Sequence, residues 1–210
     1  MARNLKLDAQ AEFKLRRTSF KNLAFSTLVA ISLIGLLQEL TYLQSSFIGE
    51  VPGRDYSIIE FLKVNDASDF GWTFLAIGLI PAFCEEFLFR GFIFNRLLQP
   101  NQIGQAIMVS SVLFGVFHRH LSVLLNNTVA GIVLSLIVYR SGSLFNSILA
   151  HAVINMAAIA IVNFSKTSSI LSMEHNGHLP FTLLAASLGG LVIGLKGLRC
   201  ENAYEGYVLG

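Results

Sequence analysis

Charge is scarce in this chain: 13% of its 210 residues are charged, where an ordinary soluble domain carries roughly 25%. With 53% hydrophobic residues and a mean hydropathy of +0.61, that scarcity excludes a typical water-soluble globule and makes lipid the main solvent. A large basic excess is also missing. The formal net charge of +2 is too small for a nucleic-acid binder, and the Lys and Arg residues gather at chain ends and segment ends, as membrane topology requires. Cysteine is nearly absent: Cys84 and Cys200 form no CxxC or metal-finger spacing, which excludes a disulfide framework. There is no linker, low-complexity tract or internal repeat, and no length to spare for a soluble domain, so one integral membrane domain over 1–210 is expected.

What is there is a series of apolar runs. A spanning helix needs roughly twenty mainly apolar residues, and six segments qualify, at about 21–41, 70–97, 103–119, 121–140, 143–164 and 180–198. Helices are expected because a backbone in lipid must satisfy its own hydrogen bonds. The fold class is therefore all-α, a polytopic transmembrane bundle. The first run follows a basic stretch but is too long for a signal-peptide core. It has Gln38-Glu39-Leu40-Thr41 where a small-residue cleavage site would be, so it reads as a retained helix. Between 42 and 69 the chain is more polar, and a surface loop with a short interfacial helix near 57–64 is expected. Sorting Lys and Arg by loop places ten on one side, four on the other and Arg90 within the membrane, which predicts cytoplasmic termini.

The second segment holds Phe83-Cys84-Glu85-Glu86-Phe87-Leu88-Phe89-Arg90. An ionisable residue at the bilayer centre costs about 2.5 to 3.5 kcal/mol on insertion scales, so such groups normally face a protein interior or a water-filled cavity and mark function. Glu86 and Arg90 are one helical turn apart and can pair, while Glu85 points about 100° away, available to water or substrate. The bland alternative is a buried charge network that only locks helices. Against it, hydrophobic replacements usually serve stability as well. Pro81 removes a backbone bond to the carbonyl of Ile77; the resulting kink either admits water or serves packing alone. Cys84 reads as a small packing residue.

Two further constellations share the i, i+4 pattern: Phe114 with His118, and His151 with Asn155. Each alone suits interhelical hydrogen bonding; three in one short membrane chain point to a site. His120 reads as interfacial. Glu85 is about fifteen residues and His151 about thirteen from the outer ends of their segments, so their depths match. His118 sits at the outer end of its own segment, which fits poorly unless that helix is longer or the cavity funnels. A partly desolvated carboxylate is a usable general base near neutral pH, a histidine can share its water, and an imidazole with an amide can stabilise an oxyanion.

In order, Glu-Glu-x-x-x-Arg, Phe-x-x-x-His and His-x-x-x-Asn resemble the CAAX prenyl protease and bacteriocin-processing (Abi) family over about 70–165. That resemblance implies a glutamic-type intramembrane endopeptidase in which Glu85 acts with His118 to activate water. It further implies His151 and Asn155 as the oxyanion pair and Glu86 with Arg90 as support. The short terminal segments look like the prokaryotic branch, whose members are thought to process peptides or membrane proteins or to confer bacteriocin immunity. A multi-pass protein of a prokaryotic cell membrane follows, with a peptide or membrane-protein substrate and no nucleic acid. No cofactor is expected, since there is no HExxH pair; if a metal is used, Glu85, His118 and His151 are the donors for zinc. The competing classes are a non-catalytic partner-binding or immunity protein and a proton-coupled transporter, the latter without a visible inverted repeat. Gly190 and Gly194 give a GxxxG spacing for packing within or between chains.

Overall fold

The computed structural model describes residues 13–48, 62–64, 66–99, 101–119, 121–164 and 178–199. His120, Cys200 and most of the expected interfacial piece at 57–64 lie outside them. Six helices form among the described residues, all close to the expected segments: α1 (Phe20–Ile48), α2, α3 (Ile103–Phe117), α4 (Leu121–Ser141), α5 (Leu144–Phe164) and α6 (Phe181–Gly197). The composite α2 runs over 67–97, with π-helical stretches at Phe74–Leu79 and Phe87–Phe94 on either side of an α-helical Ile80–Glu86. Four of these helices are long and apolar enough to cross a membrane. The other two, α3 and α6, have 15 and 17 residues, about 22 and 26 Å at 1.5 Å per residue, short of a hydrocarbon core of about 30 Å.

Large apolar side chains cover the outside. Ile80, Phe83, Phe92, Met108, Val116 and Phe117 are all exposed, an arrangement that suits lipid and not water. Inside, Val29, Leu33, Val133, Leu134, Ile137 and Ala150 join α1, α4 and α5. A second cluster of Phe94, Ala106, Ile107, Val138 and Leu144 joins α2 to α5 at one end.

Small residues set the closest approaches. On α6, a Cβ at Gly194 would lie 3.1 Å from the Phe25 carbonyl oxygen of α1, and Gly190 abuts Ser32. The GxxxG spacing therefore packs α6 onto α1 within the chain. On α4, a Cβ at Gly131 would lie 2.9 Å from the Ser111 Cβ of α3. Polar groups fasten the start of α1 to the end of α6: the Asn22 side chain donates to the Arg199 carbonyl and accepts from its N–H at 2.8 and 3.2 Å.

Residues 13–19 form a strap across one end of the bundle. The Leu144 N–H donates to the Lys14 carbonyl at 3.0 Å and the Ser143 hydroxyl to the Arg16 carbonyl at 2.7 Å, while the Phe13 ring stacks 4.4 Å from Phe87. Lys14, Arg16, Arg17, Lys21, Arg96, Arg140, Lys196 and Arg199 all belong to this end, whereas Lys63 and Arg119 belong to the other. The charge sorting read from the sequence thus has a physical counterpart in where the helices begin and end.

Candidate active site

Pro81 shapes the helix that carries the carboxylates. It has no N–H to continue the ladder, and just before it the Ile80 N–H reaches back five residues to the Leu75 carbonyl. The carbonyls freed there do not go unmet. The Asn155 amide donates to Ile77 and Gly78 at 3.2 and 3.3 Å, so α5 caps the break in α2.

One turn before Asn155, the ring of His151 meets the glutamates. Its Nδ1 lies 2.9 Å from Glu86 Oε1, and the same oxygen takes the Arg90 guanidinium at 2.5 Å. Arg90 also donates to the Gly131 carbonyl at 3.1 Å. Glu86 and Arg90 are wholly buried, so they neutralise each other away from water. A carboxylate accepts only, and this makes His151 Nδ1 the protonated nitrogen.

Glu85 is turned elsewhere, as the 100° offset predicts. Its Oε2 lies 3.8 Å from His118 Nε2 and 3.9 Å from His151 Nε2, too far for direct hydrogen bonds and of a size that water bridges. That oxygen is buried and has no hydrogen-bond partner among the described residues. His118 Nδ1 lies 2.8 Å from the Phe114 carbonyl, which can only accept, so His118 too is protonated on Nδ1. In their neutral forms both histidines therefore present an Nε2 lone pair toward Glu85.

The depth argument holds for Glu85 and His151, which meet. It also explains His118: α3 ends at Phe117, level with Glu85 and short of the outer face, so a residue at its end is still inside the bundle. Arg119, at φ 58°, turns the chain back into α4. Cys84 departs from expectation, being exposed and not packed.

Two participants were not legible in advance. The Phe114 ring, 2% exposed, lies under the Arg90 guanidinium at 4.3 Å and meets the edges of His118 and His151 at 4.8 and 5.7 Å. Its i, i+4 spacing to His118 marked the face but not this platform. The Gly131 carbonyl carries no side-chain signal at all.

Glu85, His118 and His151 are the groups that would hold a zinc ion. Ligands on a tetrahedral zinc at about 2.0 to 2.1 Å stand about 3.4 Å apart, and both Glu85–histidine separations exceed that. No group of three or more His, Cys, Asp or Glu among the described residues is arranged to hold an ion.

Residues 67–157 match the model of the family described as Type II CAAX prenyl endopeptidase Rce1-like. The core of the chain is similar to that family. That match takes in α2 to the middle of α5, and with them every residue of the cluster just described. Comparison with curated proteins and with solved structures gives no match.

Proposed function

We propose that the chain is an intramembrane endopeptidase of the glutamic type, in which Glu85 activates a water for attack on a peptide carbonyl. The observation that carries this reading is the unpartnered Glu85 Oε2, held between two imidazole Nε2 atoms. Water bound there gives its proton to Glu85 as its oxygen bonds to the carbonyl carbon. Glu85 then passes that proton to the departing amine, which leaves a carboxylic acid and a free amine.

His118 shares the water through Nε2. His151, with Nδ1–H fixed on Glu86, can carry a second proton on Nε2 and donate it as a hydrogen bond to the oxyanion. Asn155 is the second oxyanion donor in this reading. Its amide has two N–H groups and its bonds to Ile77 and Gly78 are long, so one exchanges for the stronger, charge-assisted bond to an oxyanion. Glu86 and Arg90 hold His151 and the local charge in place. No step passes through a metal.

The substrate is a peptide or membrane protein. To test this, purified protein in detergent is mixed with a library of membrane-derived peptides and new N-termini are sequenced. Cleavage at recurring positions is expected; a protein that cleaves nothing yet still binds a membrane partner favours the non-catalytic reading.

A further inference from the structure

α4 keeps one face inside the bundle. Ala130, Leu134, Val138 and Ser141 recur along it at three- and four-residue steps with exposures of 0 to 6%. Asn127 begins the same stripe, seven residues before Leu134 and about 20° from it around the helix. It lies about 160° from Leu125, whose side chain is 45% exposed on the lipid side. Its neighbours fix its level. The Gly131 carbonyl, one turn on, accepts from Arg90, and Gly115 of α3 abuts Thr128 and the Leu124 carbonyl. Because α2 and α4 both run toward the basic end, one turn back from Arg90 is Glu86 and one turn back from Gly131 is Asn127. Asn127 therefore stands inside the bundle within a turn of the level of Glu85 and Phe114.

The two adjacent asparagines of α4 are used differently. The Asn126 amide donates to the Leu37 carbonyl and the Thr41 hydroxyl at 3.2 and 2.6 Å and accepts from Gln44 at 2.5 Å, so it ties α4 to α1. Asn127 has no hydrogen-bond partner among the described residues and is only half-buried. An unpaired amide in an apolar interior works against stability, so packing does not account for it. Around Glu85 the carboxylate and the neutral imidazole Nε2 atoms can only accept, whereas a primary amide both donates and accepts. A peptide drawn out of water offers one N–H and one carbonyl per residue, and each needs a partner. We propose that Asn127 binds the backbone of the substrate beside Glu85, its oxygen accepting from a peptide N–H and its nitrogen donating to a peptide carbonyl. The proposal rests on the peptidase reading for its ligand, a peptide.

The test reads binding apart from turnover. The Glu85→Gln protein and the Glu85→Gln, Asn127→Ala protein are immobilised in detergent and titrated with the fluorescently labelled library of membrane-derived peptides, and the retained peptides are identified by mass. Asn127→Ala should raise the half-saturating concentration about 2- to 12-fold, the range for one lost hydrogen bond. The loss should fall evenly on peptides of differing sequence, because the backbone is common to all, and the melting temperature should be unchanged or higher. Equal retention by the two proteins, retention by neither, a loss confined to peptides that share one side chain, or a lower melting temperature with Asn127→Ala overturns the proposal. Cleavage by the wild-type chain judges the peptidase reading separately. If the wild type cleaves nothing while Asn127→Ala weakens retention as stated, the peptidase reading falls and the peptide site stands; cleavage together with equal retention removes only the role of Asn127.

Discussion

Glu86 Oε1 is shared by Arg90 and by His151, with the imidazole Nδ1 at 2.9 Å. One carboxylate oxygen therefore neutralises a buried cation and fixes the tautomer of a ring whose other nitrogen faces Glu85. The adjacent glutamates differ in setting: Glu86 is wholly buried and holds Arg90 and His151 through Oε1, whereas the Glu85 side chain is 19% exposed and its Oε2 stands between two imidazole Nε2 atoms without a hydrogen-bond partner among the described residues.

Glu86→Gln removes the charge opposite Arg90 and the acceptor for His151. Breaking a buried pair by removing one partner costs about 3 to 5 kcal/mol, and losing the orientation of an active ring lowers turnover by roughly 10- to 100-fold. Both are read on one sample, by thermal unfolding in detergent and by peptide cleavage. A variant of unchanged stability would show that the pair contributes nothing to the fold.

Phe114→Leu keeps an apolar side chain but removes the ring under Arg90 and beside both histidines. A desolvated cation–π contact is worth about 2 kcal/mol, so the melting temperature should fall and kcat should fall with it as His118 and His151 loosen. Phe114→Tyr retains the ring face and should keep more of both. Equal behaviour of the two variants would argue against the platform.

Asn155→Ala separates the observed cap from the proposed oxyanion role of the same amide. Loss of the cap on Ile77 and Gly78 leaves buried carbonyls unmet, at about 1 to 3 kcal/mol. Loss of an oxyanion donor costs about 100- to 1,000-fold in kcat. If stability drops while kcat per folded molecule is unchanged, Asn155 only fastens α2 to α5.

Hydrolysis should be insensitive to a strong chelator and should not be restored or raised by added zinc. Elemental analysis of the active protein checks the same point. One equivalent of zinc that tracks activity would replace the metal-free mechanism.

Much of this was legible in the sequence because helical spacing and depth are simple arithmetic. The i, i+4 steps put Arg90 on Glu86 and turned Glu85 away, and residue counts brought Glu85 and His151 to one level. What was not legible depends on where backbones stop and approach. His118 looked misplaced because apolar residues run on to the end of α3, yet nothing in that run says the helix ends at the level of the site. The Gly131 carbonyl became an Arg90 partner only because Gly131 lets α3 and α4 close to within a Cβ of contact with Ser111. Pro81 announced a broken ladder, but that Asn155 would mend it required knowing which face of α5 meets α2.

The most direct measurement compares peptide cleavage by the wild-type chain and by Glu85→Gln, each shown to be folded by the same unfolding curve. The glutamine keeps the size and the polar contacts of the side chain but cannot take a proton from water. Loss of a positioned general base lowers the rate by about 100- to 10,000-fold, and that loss, with stability unchanged, is the expected result. Cleavage by Glu85→Gln at the wild-type rate would contradict the account at its centre.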